Sequence, residues 1–245
     1  MKLLRAYVLL TTRALLRTPA YWVPLVVFPS LLYTFFGMQP SQGDLRVANI
    51  LLGSWSVFAV VGVAFFQFGV SISQARESKW ENFARTLPTG GAAKLVAQVA
   101  SAAIFLALSV GLLWTIALLF TAVDLSAVRL LKLFAVVIVG SVPFIFLGAA
   151  LGYAVPPRGA VPIANLIYLP LSYLGGLWMP PSMLPDIVNN ISRWTPTRQL
   201  GELAWATVQN QPYPGFAVLG LIAYGLCGLV IALFLWRKDE TLRFA

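Results

Sequence analysis

QARESKWENFARTLPTGGAAK, residues 74–94, is a short charged stretch between two apolar runs at residues 50–72 and 95–120. Its apolar residues recur at helical spacing, so a helix carries them on one face: Trp80, Phe83, Ala84 and Leu87. Glu81 precedes Arg85 by four residues on the opposite side, in the order that favours an ion pair. Pro88 and the glycines after it end this helix. We predict an amphipathic helix whose aromatic stripe is buried against lipid headgroups or another protein; a solvated loop with a surface helix is the alternative.

The composition is typical of a membrane protein. Of 245 residues, 59% are hydrophobic and 10% are charged, and a soluble domain has no core large enough for so many apolar side chains. Long uninterrupted apolar runs favour membrane-spanning helices over a barrel. The single cysteine, Cys227, excludes a disulfide framework and a cysteine metal cluster. The net charge of +9 is interpreted as cationic bias of cytoplasmic loops, with no nucleic acid as a partner.

We expect an all-α integral membrane protein with six transmembrane helices. The spans are placed at about residues 21–38, 49–73, 95–122, 132–154, 161–179 and 214–236. Pro24 and Pro29 interrupt the first of them, and Gly148 and Gly152 in the fourth allow another helix to approach closely.

Residues 1–20 are predicted to form an amphipathic helix on the cytoplasmic face. Arg5, Arg13 and Arg17 fall on one arc of this helix, and most of its apolar residues fall on the other. A secretory signal would instead place its basic residues before a single apolar core. A basic flank that only orients the first span is the alternative, and the two are compatible.

The distribution of Lys and Arg predicts the orientation. Twelve lie in connections on the side of the N-terminus: Lys2, Arg5, Arg13, Arg17, Arg76, Lys79, Arg85, Lys94, Arg158, Arg237, Lys238 and Arg243. Five lie on the other side: Arg46, Arg129, Lys132, Arg193 and Arg198. Since cytoplasmic connections carry the excess, both termini and residues 74–94 are predicted to be cytoplasmic.

The outer segment, residues 180–212, is predicted to hold two short helices. Pro185 and Pro196 are placed to start them, the second after the capping residue Thr195. One apolar face consists of Ile187, Ile191 and Trp194; the other helix is lined by Leu200, Leu203, Ala204, Thr207 and Val208. We expect both helices to dip into the outer leaflet or lie on it. A structured cap unrelated to transport is the alternative.

No charged residue falls inside the predicted membrane cores, with Lys132 at the edge of one, and no catalytic, metal-ligating or Walker A pattern occurs in the sequence. Energy for uphill transport would therefore have to come from another polypeptide. Mildly polar and aromatic residues could line a path for amphipathic substrates: Phe58, Phe65, Phe66, Gln67, Asn165, Ser172 and Tyr173. The alternative is that they only pack helices together. A stand-alone secondary carrier and a non-transporting scaffold are the competing functions.

Two stretches carry a family resemblance that extends over the whole chain. The first is RESKWENF, residues 76–83, followed by Leu87-Pro88; the second is GGLWMP, residues 175–180, followed by Leu184-Pro185 and Trp194-Thr195-Pro196. With the predicted layout, they resemble the permease subunit of a bacterial ABC-2 type (type V exporter) ABC transporter. Ser78 and Lys79 stand where members of that family often have glycine.

The resemblance implies one transmembrane domain over residues 1–245, without a catalytic site, in the bacterial cytoplasmic (plasma) membrane. Two copies of a separate ABC ATP-binding subunit would hold ATP and Mg, and a second permease copy or a paralogue would complete the exporter. The ATPase would contact a coupling helix within 74–94, at Arg76, Glu77, Trp80, Glu81, Phe83, Arg85, Leu87 and Pro88. Arg5, Arg13 and Arg17 would belong to a connecting helix, and Pro180, Pro185, Trp194 and Pro196 to the outer helices. Substrate, a drug, antibiotic, lipid-like molecule or peptide, would pass between the two permeases, where the second and fifth spans face each other.

Overall fold

Helices make up most of the chain in the computed structural model, which describes residues 8–9, 12–78 and 91–244. The helices are α1 (Pro19–Leu32), α2 (Leu45–Ala64), α3 (Ser71–Arg76), α4 (Gly91–Phe120), α5 (Ala127–Gly140), α6 (Val142–Ala154), α7 (Pro157–Leu174), α8 (Asp186–Ser192), α9 (Pro196–Gln209) and α10 (Gly215–Phe244). Residues 12–16 are also helical. Two π-helical segments occur: Tyr33–Gly37 continues α1, and Phe65–Val70 joins α2 to α3. No strand occurs among the described residues, which agrees with the predicted all-α class.

Local sequence signals explain where several helices begin and end. The Asp44 carboxylate accepts hydrogen bonds from the backbone of Arg46 and Val47 at the start of α2, at 2.7 and 3.4 Å. Thr195 caps α9 with its side chain, and Pro196 occupies the first turn, as the sequence predicts. Asn210 ends α9 in the left-handed conformation, with φ of 55°.

The helix α2 is the centre of the molecule. Every residue from Leu51 to Ala64 is buried, because α1, α4, α5, α6, α7 and α9 all pack against it. Its large side chains, Trp55 and Phe58, are fully buried in a core that also includes Leu133 and Leu200. A helix with an apolar surface all round is stable only when it is covered on every side.

Within the described residues, four helical stretches are long and apolar enough to cross a membrane: Leu45–Arg76, Val96–Phe120, Ala127–Ala154 and Gly215–Asp239. They coincide with the predicted second, third, fourth and sixth spans. The predicted first span is the shorter apolar helix Tyr21–Gly37. The predicted fifth span corresponds to α7, whose 18 residues include Arg158, Pro162 and Pro170. The helices therefore support several membrane crossings, and the count of six stays a prediction.

The helix ends lie on two opposite faces. At one, which we call the Arg76 face, Arg76 contacts residues near the ends of α6 and α10. At the other, the Asp44 face, the Asn49 amide pairs with the backbone of Asp124 at 3.2 and 3.3 Å. The stretch Leu45–Arg76 extends from the Asp44 face to the Arg76 face. The sequence predicts that the Arg76 face is cytoplasmic.

Candidate functional site

A cavity of about 730 Å³ lies between α1, the segment from α2 to α3, and α7. Its wall is formed by Leu15, Thr18, Tyr21, Pro24, Leu25, Phe28, Pro29, Gly62, Phe66, Val70, Ser71, Gln74, Ala75, Ser78, Val161, Asn165 and Tyr168. These described residues carry no formal charge, and most of them are apolar. Such a wall suits an amphipathic ligand with uncharged polar groups.

Polarity changes along the cavity. Near the Arg76 face the wall includes Ser71, Gln74 and Ser78, and farther from that face it includes Phe28 and Tyr168. Pro24 and Pro29, the two prolines inside α1, also line it. A π-helical turn holds an additional residue, which rotates the following side chains relative to an α-helix and is often found at functional sites. The turn Phe65–Val70 brings Phe66 to the cavity and leaves Phe65 buried, with 3% of its surface exposed.

Hydrogen bonds hold the polar wall in place. The hydroxyl of Tyr21 donates to the side-chain oxygen of Gln67 and lies 3.3 Å from the Ser71 hydroxyl. Gln98 of α4 donates to the backbone oxygen of Gln67 at 2.9 Å. Asn165 differs from these residues, since its half-buried amide makes no hydrogen bond to any described part of the chain. Its donor and acceptor are therefore available to a ligand.

An aromatic cluster closes the cavity toward the Asp44 face. The rings of Phe58 and Tyr168 lie 4.7 Å apart, and Phe58 also contacts Trp55 at 5.3 Å and Trp178 at 6.0 Å. The Tyr168 hydroxyl donates to the backbone oxygen of Phe58 at 2.8 Å. This bond fixes α7 to the centre of α2, directly beside the cavity.

The predicted path residues separate into two groups. Phe66 and Asn165 line the cavity. Phe58, Phe65, Gln67 and Ser172 are buried inside the protein, and Tyr173 is partly exposed beside Trp178. Sequence reasoning missed the α1 wall, although its lining residues have helical spacing at Tyr21, Pro24, Leu25 and Phe28. It also missed Val161 and Tyr168, which share the face of Asn165 at the same kind of spacing.

The predicted coupling stretch, residues 74–94, is described at 74–78 and at 91–94, where α4 begins. Glu77 is exposed. The guanidinium of Arg76 is held within the chain, by Asp239 and by the backbone oxygens of Gly152 and Tyr153. The remaining predicted contact residues, Trp80, Glu81, Phe83, Arg85, Leu87 and Pro88, lie outside the described residues. Their role stays a prediction.

The predicted connecting helix is partly described. Arg13 and Arg17 are exposed, as expected for its polar arc, and Arg5 lies outside the described residues. Thr12 is anchored to α4, with its hydroxyl 3.0 Å from that of Ser101. Leu15 and Thr18 line the cavity, so this segment borders the same opening as Gln74 and Ser78.

The two predicted outer helices, α8 and α9, have different environments. The apolar face of α8 is exposed at Ile187 and Ile191, as is the following Trp194. In contrast, α9 is buried between α2, α5, α7 and α10. Pro180 is half-buried, Pro185 is exposed and Pro196 is buried. Protein therefore covers most of α9, and the position of both outer helices in or on the outer leaflet stays a prediction.

Arg198 of α9 is a buried charge that sequence reasoning missed. Its guanidinium donates to Glu202 at 2.7 Å, to Asn189 at 3.2 Å and to Ser192 at 3.4 Å. It also lies 5.2 Å from the ring centre of Trp205. These contacts satisfy the charge and join α8 to α9.

Comparison of the sequence with known proteins identifies its family. The family profile described as ABC-2 type transporter matches residues 3–208. The chain is 27% identical over 220 residues to the "Putative transport permease YvfS" of Bacillus subtilis (strain 168), a match that covers 88% of this chain and 89% of that protein. The profile extends from the N-terminal segment through the cavity to the end of α9. The chain therefore belongs to the ABC-2 type transporter family.

Proposed function

We propose that this permease is the membrane-spanning subunit of an ATP-driven exporter, and that its substrate passes through the cavity between α1, α2–α3 and α7. The observation that supports this function is the position of the cavity. Its polar end is lined by Gln74, Ala75 and Ser78, which lie directly before and among the predicted ATPase-contact residues in sequence. A force applied to that contact is applied next to the cavity opening.

The energy would come from a separate ABC ATP-binding subunit present in two copies, which holds ATP and Mg. Trp80, Phe83 and Leu87 would be its apolar anchors, because large side chains in a desolvated pocket dominate such interfaces. Glu77, which is exposed on the Arg76 face, would help to set the register of the contact.

The substrate class follows from the cavity wall. Phe28, Phe66 and Tyr168 offer aromatic surface, and Asn165 offers one uncharged donor and acceptor. A hydrophobic or amphipathic molecule with a hydroxyl or amide group fits both features. Such a molecule would enter from the Arg76 face. It would leave past the aromatic cluster after Phe58 and Tyr168 separate.

A second copy of the permease, or a paralogue, would complete the path. Exposed apolar side chains support this assembly: Phe35, Phe36, Ile187, Ile191 and Trp194. They lie beside α1 and on or beside the outer helices, next to the cavity helices. Lipid would cover the exposed apolar surfaces of α4 and α10.

Isolation of the tagged permease from native membranes tests the ATPase partner. We expect wild type to retain a Walker A protein with ATPase activity, and Glu77→Ala and Trp80→Ala to retain less of it while inserting normally. The control is Arg193→Ala, which changes an exposed charge on the opposite face. Equal recovery from all four proteins would contradict the proposed contact.

Cysteine accessibility tests the path without a known substrate. Asn165→Cys faces the cavity, while Leu166→Cys is its matched control, because Leu166 is adjacent and 73% exposed on the lipid-facing side of α7. A water-soluble thiol reagent should label position 165 and leave position 166 unmodified, since thiolates do not form in hydrocarbon. Labelling of position 166 alone would contradict the proposed path.

A further inference from the structure

One guanidinium connects three helices at the Arg76 face. Arg76 Nε and Nη2 both donate to Asp239 Oδ1 of α10, at 3.1 and 2.5 Å. Its Nη1 donates to the backbone oxygens of Gly152 and Tyr153 in the last turn of α6, at 3.0 and 2.8 Å. Arginine is suited to this position because its rigid fork can serve several acceptors at once.

The contact is well shielded and serves as a helix cap. The side chains of Arg76 and Asp239 are 22% and 10% exposed. The last carbonyls of a helix lack partners within it and carry partial negative charge. Arg76 donates to two of these carbonyls at the end of α6. Ser73 Oγ donates a further hydrogen bond of 2.7 Å to the backbone oxygen of Val155.

The two sides of α3 have different partners. Ser71, Gln74, Ala75 and Ser78 have helical spacing and line the cavity. Ser73 and Arg76, three residues apart, bind α6 and α10. One side of α3 therefore lines the cavity, and its other side is hydrogen-bonded to α6 and α10.

Close packing also connects α6 with the segment that precedes α3. A Cβ on Gly152 would lie 2.6 Å from the Gly69 backbone oxygen, and one on Gly148 would lie 2.9 Å from that of Ala64. The π-helical segment and α6 are thus in backbone contact, and α6 packs along α10. Tightly packed helices move together, because sliding one past another would require overlapping atoms.

We propose that Arg76 and Asp239 form the joint through which movement of the segment after α3 reaches α6 and α10 and changes the cavity opening. The proposal rests on the proposed ATP-driven function. In it, Arg76 is a positioning residue that touches neither substrate nor nucleotide. The proposal assigns Asp239 a role in coupling and implies that α10 moves during transport.

The labelling rate of Gln74→Cys measures movement of the cavity wall. In a Cys227→Ser background with the co-purified ATPase, we expect this rate to change when ATP and vanadate are added. The change should disappear in Arg76→Gln and in Asp239→Asn, and Asp239→Asn should retain the ATPase and its basal hydrolysis. Asp239→Glu should restore it. The control is Arg158→Gln, which removes an exposed charge near the same face.

A wild-type response that persists in both Arg76→Gln and Asp239→Asn would overturn the joint while leaving the proposed function intact. If wild type showed no change in labelling rate, or retained no ATPase, both the joint and the proposed function would be overturned. If the Arg76→Gln protein fails to accumulate, the Asp239→Asn variant alone tests the joint, because Arg76 is still present in it to cap α6. Cysteines at both positions, linked by a short bifunctional thiol reagent, provide a second measurement. We expect the change in labelling rate to be absent before the two cysteines are linked and to return after linkage. If it stayed absent after linkage, a rigid joint would be contradicted.

Discussion

The indole Nε1 of Trp205 donates a hydrogen bond of 2.8 Å to the hydroxyl of Ser54, which joins α9 to the buried part of α2. Both side chains are buried. Trp205→Phe should lower the stability of the permease by about 1–3 kcal/mol, because it leaves the Ser54 hydroxyl without this partner. Thermal unfolding in detergent measures the effect. Trp194→Phe, at a ring that is 76% exposed, is the control and should leave the Tm unchanged.

The buried charge of α9 makes a second prediction. Arg198→Ala removes the partner of Glu202 and of Asn189, and breaking a buried pair typically costs about 3 kcal/mol or more. We expect a lower Tm and faster proteolysis of the segment between α8 and α9. Arg193→Ala is the matched control, since Arg193 is exposed and only five residues away. Equal Tm values would show that the pair contributes nothing.

Two glycines in long helices should respond differently to alanine. Gly152→Ala places a Cβ against the Gly69 backbone oxygen, 2.6 Å away, and overpacking of this kind costs about 1–3 kcal/mol. Gly111→Ala meets no atom within 4 Å, so the better helix propensity of alanine should make it neutral or stabilising by up to about 1 kcal/mol. The Tm of each variant in detergent checks the sign. A stable Gly152→Ala would contradict the contact with the π-helical segment.

The Lys and Arg distribution predicts the orientation. In a Cys227→Ser background, Asn190→Cys should react with an impermeant thiol reagent added to intact cells, and Trp80→Cys should react only after the cells are opened. The reason is that twelve cationic residues on one side hold that side in the cytoplasm. Labelling of position 80 from outside would invert the assignment.

Local signals in the sequence were sufficient to predict much of the fold. Thr195 and Pro196 predict the start of α9, and Pro185 predicts that of α8. These signals depend only on neighbouring residues, so they are readable without a tertiary structure. The six-span count goes further than length and apolarity support, because the first predicted span is a shorter apolar helix and α7 carries Arg158 in its first turn and two internal prolines.

The candidate site was less predictable. Arg76 pairs with Asp239, 163 residues later, and no local pattern indicates such a partner. The π-helical segment changes which of Phe65 and Phe66 reaches the cavity, while periodicity assumes a regular α-helix. The apolar stripe of α9 is correctly predicted, yet whether lipid or protein covers such a stripe depends on the whole assembly.

The burial of α2 determines how the bilayer can act on this protein. The stretch Leu45–Arg76 has 32 residues and is roughly 48 Å long, at about 1.5 Å per residue, whereas the hydrocarbon core is about 30 Å thick. A helix that faced lipid would have to tilt to remove such a hydrophobic mismatch. Since protein covers α2, membrane thickness acts instead on the exposed α4 and α10. Changing the acyl-chain length of the lipid should therefore tilt the peripheral helices and leave the central one in place.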